Sequence, residues 1–147
     1  EAWMAAELAE RLPRLVEFYE AMEFRKAAAE TRALWAAGNE YLTKAEPWVK
    51  YKQDVDAAAV GVRAGLNLAA LFGIIAQPII PDTAKKILDA LGIPEANRKM
   101  PGGTAGQDYA GLLDAIPHGA PIMPPDVLFQ KIEDATVAEW TERFGGG

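Results

Sequence analysis

The longest uninterrupted apolar pattern runs over 54–77. From Leu66 to Ala76 it is apolar on nearly every side, which predicts a central helix buried all round. At 1.5 Å per residue such a helix is roughly 36 Å long. Pro78 and Pro81 stop it, because proline lacks the amide donor and its ring clashes with the preceding turn. The apolar run is read as too short to cross a membrane.

Other stretches repeat at three and four residues. Over 2–22, Leu12, Leu15, Val16 and Tyr19 share one side, and Pro13 leaves either one kinked helix or two short ones. Over 24–43 the repeating positions are Phe24, Ala27, Ala28, Thr31, Leu34, Trp35, Gly38 and Leu42. The small residues among them let a second helix approach closely. A short helix over 82–91 places Ala84, Ile87, Leu88 and Leu91 on one face. Asp82 or Thr83 can cap its start, and Gly92 can end it.

From 92 to 127 prolines and glycines replace the periodicity. This segment is expected to wrap the bundle as an extended strap, with one helical turn over 109–115 and with Ile116, Ile122, Met123 and Val127 docked on the helices. A last helix over 136–144 opens on Thr136 and Glu139, spaced as a capping box. Its Val137, Trp140 and Phe144 fall on one side. The chain reads as one all-α domain over 1–147: about five helices, a Pro/Gly-rich strap and a C-terminal helix. There is no internal repeat and no sustained strand pattern.

Composition narrows the chemistry. The 147 residues are enough for a real core. With no cysteine, disulfides and thiolate metal sites are excluded. One histidine, His118, makes an imidazole metal site a poor fit. The net charge of −6 argues against broad phosphate binding. It leaves room for a small local site, and Lys44, Lys50 and Lys52 cluster around Trp48. Nothing at the start resembles a signal peptide. The chain opens on Glu1 inside a helical register, so a fragment or a processed chain is expected.

Most other candidates read as structure. His118 sits in a loop with no partner for acid–base work. The stretch from Gly102 to Gly106 lacks the Lys-Ser/Thr ending of a phosphate loop. Glu7, Glu10, Glu17, Glu20 and Glu23 form a solvated face, and the Glu-x-x-His motif of di-metal bundles is missing. Trp35 falls on the apolar side and is read as core. Trp140 can pack within the chain or against another domain. Trp48 is different. Pro47 keeps Glu46 out of the right-handed α region and fixes its own φ, so Trp48 sits at a helix junction with its backbone held. It can fill a gap between helices or be offered outward for base stacking.

The order Phe24, Asn39-x-Tyr41, Pro47-Trp48-x-x-x-Lys52 resembles the anticodon-binding helical domain of methionyl-tRNA synthetase. The apolar helix ending in Gln77-Pro-Ile-Ile-Pro81, the helix through Ala84 and Leu91, and the segment from Leu128 to Asp134 agree with it. The resemblance runs from about residue 17 to the end and is weak over 93–120. It implies that Trp48 stacks on the splayed wobble cytosine of the methionine anticodon, with Lys52 beside it; Lys50 and Lys52 are then expected to meet nearby phosphates. Asn39, Tyr41 and Pro47 then support the tryptophan loop. The implied partners are methionine-acceptor tRNA and the catalytic domain of the same parent, toward which the terminal helix folds. Neither DNA nor a membrane is implied, and the location is cytoplasmic.

The departures are as informative. The family's two ATP-binding signatures are missing, so no cofactor is expected in this chain. ATP, and zinc where the family uses it, belong with the catalytic domain. Arg98-Lys-Met100 matches part of a lysine-rich signature but lies after the anticodon helices, and it is read as coincidence. The family also reads the wobble base with an Asn and Arg pair on the first helix of the domain. That helix is expected upstream of Glu1. Two alternatives stay open: the anticodon domain of another class I synthetase, such as the cysteinyl enzyme, or a helical protein-interaction module.

Overall fold

A computed structural model describes residues 2–102 and 106–145. Its elements are α1 (Ala2–Glu20), α2 (Phe24–Ala45), the single turn α3 (Pro47–Lys50), α4 (Val55–Ala76), α5 (Pro81–Ala90) and α6 (Asp134–Phe144), with 3₁₀ turns at Glu95–Asn97 and Gly111–Asp114. There is no strand among the described residues, and the all-α bundle stands. Pro13 lies inside one continuous α1. The helix turns into α2 through Met22, held at φ 56°. The Glu23 amide donates to the Phe18 carbonyl and the Met22 amide to that of Tyr19, closing the end of α1 as a Schellman cap.

The apolar helix α4 is the centre. It packs on α2, α3, α5 and the second 3₁₀ turn. One core joins Met4, Leu8, Leu12 and Leu15 of α1 to Ala27 and Leu34 of α2 and to Leu68, Leu71 and Ile75 of α4. A second joins Ala70 of α4 to Leu88 and Leu91 at α5 and to Ile93 and Ile116 of the strap. Small residues set the α2–α4 spacing as expected: the Phe72 ring occupies the space a side chain at Gly38 would need, and Leu42 does the same at Gly65. By length and composition α4 is apolar enough to cross a membrane, contrary to the sequence reading, but half of that stretch is buried within the bundle.

Several local expectations are corrected. Phe24 is exposed, not part of the core face. The N-cap of α5 is Ile80, with Pro81 in the first position and no side-chain cap, so neither Asp82 nor Thr83 caps it. Proline presets φ there and wastes no donor. Gly92 does end α5, at φ 66°, with the Ile93 amide on the Leu88 carbonyl. The helix α6 starts at Asp134 with Glu133 as an unassisted N-cap, so Thr136 and Glu139 lie inside it and form no capping box. Trp35 is only half-buried. Its indole Nε1 is buried with no acceptor among the described residues.

The strap is tied to α4 at Ile116, and its Met123 amide donates to the Ala90 carbonyl of α5 at 2.9 Å. The Asn67 side chain, fully buried in α4, accepts from the Ile116 amide at 2.8 Å and donates to the Arg63 carbonyl at 2.9 Å. Arg63 Nε and Nη2 donate to the Ile116 carbonyl at 3.2 and 3.0 Å and its Nη1 pairs with Asp114. Both backbone groups of Ile116 are therefore satisfied by α4 side chains. Ile116 and Ile122 dock as expected, whereas Met123 and Val127 are 77% and 78% exposed. Arg98 is structural: it donates to the Ile93 carbonyl and to Asp89, and its own carbonyl accepts from Gln77. The Gly-rich stretch is described only at its ends, since 103–105 lie outside the described residues, as do Glu1 and the last two glycines.

Candidate nucleic-acid interface

The helix α2 ends at Glu46, which takes φ 45° and ψ 51°. A non-glycine residue in the left-handed region costs about 1–2 kcal/mol. The surroundings hold it there: the Glu46 amide donates to the Leu42 carbonyl at 3.0 Å, and the Glu46 carbonyl accepts from Val49 and Lys50 at 3.0 and 3.1 Å. One residue thus reverses the chain from α2 into α3.

Pro47 opens α3 and is buried. Its Cβ would lie 3.2 Å from a Cβ built on Gly61 of α4. The proline ring fills the space that the glycine leaves. With Pro47 turned inward, Trp48 turns outward and is 58% exposed. Trp48 therefore does not fill a gap between the helices but is turned to the surface.

The helical path continues past α3. Tyr51 donates to the Pro47 carbonyl at 2.9 Å, Lys52 to Val49 at 3.2 Å, and Asp54 to Lys50 at 2.7 Å. The Asp54 carboxylate then caps α4 by accepting from the Ala57 amide at 2.9 Å. Residues three and four apart on such a turn are neighbours, and those two apart are not. Tyr51 and Lys52 therefore share the side of Trp48, while Lys50 points to another side. Both lysines are exposed, and among the described residues neither is in an ion pair. Lys44 is engaged elsewhere: it pairs with Glu40 and lies 4.7 Å above the Trp3 ring.

The supporting residues divide. Pro47 holds the loop directly. Tyr41 packs half-buried against the α1–α2–α4 core. Asn39 is exposed and lines an apolar groove of about 530 Å³ with Trp35, Leu66, Phe72 and Phe129. Gly61 is the residue that sequence reasoning passed over. Its signal was a glycine in a helical stretch between two valines, at some cost in helix propensity.

No group of three or more His, Cys, Asp or Glu side chains able to hold a metal occurs among the described residues. What this surface offers is an exposed aromatic face with Lys52 on its side and Lys50 on another side of the same turn. Fold and surface together are those of an all-α helical-bundle domain with an exposed aromatic and cationic patch. More narrowly, the chain belongs to the family of anticodon-binding domains of methionyl-tRNA ligase, whose model matches residues 1–147.

It is 83% identical over 147 residues to the methionine–tRNA ligase of Hyphomonas neptunium, covering 100% of this chain and 25% of that protein. It is 74% identical over 147 residues to that of Maricaulis maris, covering 99% of this chain and 25% of the relative. With the enzyme of Caulobacter vibrioides (strain NA1000 / CB15N) the identity is 47% over 146 residues, with 99% and 25% covered. The chain spans about a quarter of the length of these curated relatives.

Proposed function

We propose that this domain recognises the anticodon of methionine-acceptor tRNA for a cytoplasmic methionine–tRNA ligase. Trp48 stacks on the everted wobble base. Lys52 meets the phosphate beside it, and Lys50 meets one on the far side of the turn. The observation that carries this reading is the inward Pro47 against Gly61, which leaves Trp48 exposed on a backbone held by the hydrogen bonds of Glu46 and Pro47. The net charge of −6 disfavours broad phosphate contact over the rest of the surface.

Catalysis, with its ATP and any zinc, belongs to the remainder of the ligase. The exposed Val137, Trp140 and Phe144 of α6 suit a contact with that catalytic domain. Replacing Trp48 by Ala in the full-length ligase is expected to lower kcat/KM for tRNA by roughly tenfold or more and to leave amino-acid activation by ATP intact. Unchanged tRNA charging would refute the reading.

A further inference from the structure

We infer that Tyr51 is a second stacking platform, which receives the nucleotide next to the base held on Trp48. This rests on the anticodon reading above and adds a residue to it. Tyr51 is 66% exposed, more than Trp48 itself. An exposed tyrosine alone is an ordinary surface residue, but three relations set this one apart.

The first is its place. The Tyr51 amide donates to the Pro47 carbonyl at 2.9 Å, so Trp48 and Tyr51 stand three residues apart on a helical path. That puts their Cβ atoms roughly 5–6 Å apart on one side of the turn, a spacing that consecutive nucleotides of a splayed loop can span. The second is rigidity. Tyr51 has right-handed backbone angles, φ −51° and ψ −30°, and the turn is closed on its far side by the Asp54 cap of α4. Two aromatic rings are therefore presented from a backbone fixed at both ends. The third is charge. Lys52, exposed and unpaired among the described residues, follows Tyr51 directly and shares its side with Trp48. The phosphate linking two consecutive stacked nucleotides carries the charge such a lysine complements.

The test uses the full-length ligase with Tyr51→Ala, Tyr51→Phe and Trp48→Ala, and methionine tRNA transcripts carrying 2-aminopurine at either nucleotide flanking the wobble base. Tyr51→Ala is expected to lower kcat/KM for tRNA roughly tenfold, with amino-acid activation unchanged. Tyr51→Phe, which keeps the ring, should stay within about twofold of the unmodified enzyme. At saturating enzyme one flanking 2-aminopurine should be quenched by the unmodified protein and by Tyr51→Phe, but not by Tyr51→Ala. Unmodified charging by Tyr51→Ala beside a defective Trp48→Ala overturns the role of Tyr51 and leaves the Trp48 site standing. Equal losses in Tyr51→Ala and Tyr51→Phe overturn stacking in favour of the hydroxyl. If neither Trp48→Ala nor Tyr51→Ala affects tRNA charging, the anticodon reading of the patch fails as well.

Discussion

Pro47 and Gly61 fit together as ring and gap: a Cβ on Gly61 would stand 3.2 Å from the proline Cβ. This fit is part of the packing of α3 on α4 and turns Pro47 inward and Trp48 outward. Replacing Gly61 by Ala adds helix propensity of about 1 kcal/mol against a contact that must give by a few tenths of an ångström, so little change in Tm is expected. Gly61→Val is expected to destabilise the domain by about 1–3 kcal/mol through overpacking and to lower tRNA charging, because Pro47 must move. Thermal melts and charging assays on both variants check this.

The two free lysines should not be equivalent. Lys52 shares the side of Trp48 and Lys50 does not. Lys52→Ala is expected to weaken tRNA binding about three- to tenfold and to reduce the slope of log affinity against log salt by about 0.7, one single-strand phosphate contact. Lys50→Ala should have the smaller effect. Binding titrations of the full-length ligase between low and moderate salt measure both quantities.

Asn67 ties the strap to α4 through the Ile116 amide. Asn67→Leu keeps the branched shape but not the acceptor, leaving a buried N–H unpaired. A loss of about 1–3 kcal/mol is expected, with amide exchange at Ile116 accelerated relative to the middle of α4. Unchanged exchange at Ile116 would show that the strap is held elsewhere.

Two groups predict the pH limits of stability. Burial raises the Tyr19 phenol above its ordinary 10.0, while a hydrogen bond with Thr31 opposes the rise. A raised folded pKa means that its contribution is complete below about pH 10 and is lost as pH climbs through the folded value. Tyr19→Phe should flatten this alkaline limb, at a neutral-pH cost of about 1 kcal/mol for the lost bond to the Ile75 carbonyl. Lys85 first, and then Arg98, hold the Asp89 carboxylate below its ordinary 3.8. Its contribution is present above about pH 3.8 and is lost as pH falls through the depressed value. Asp89→Asn should flatten that acid limb, measured as Tm against pH.

Much of this was legible in the residues. The helices followed from three- and four-residue periodicity, and their ends from Pro47, Pro78, Pro81 and Gly92, because such signals act within a few positions along the backbone. The errors at Thr136 and Asp82 are of the same local kind: a side chain able to cap was present, but the backbone entered its helix at another residue. Met123 and Val127 were misjudged because apolar character alone does not say whether a strap reaches the core.

The sequence by itself determined the α-helical class, the central place of α4 and the proline-fixed junction that carries Trp48, since each depends on neighbours in the chain. It left open whether Trp48 faced inward or outward. Tertiary structure decided that, because the space for Pro47 is made by Gly61, on a helix that the chain reaches only after another turn. The same holds for the strap, anchored by Asn67 and Arg63 to Ile116, and for Asn39, which packing placed on an apolar groove. Local pattern sets backbone conformation, whereas the facing of a side chain depends on which distant residue leaves room or supplies the hydrogen bond.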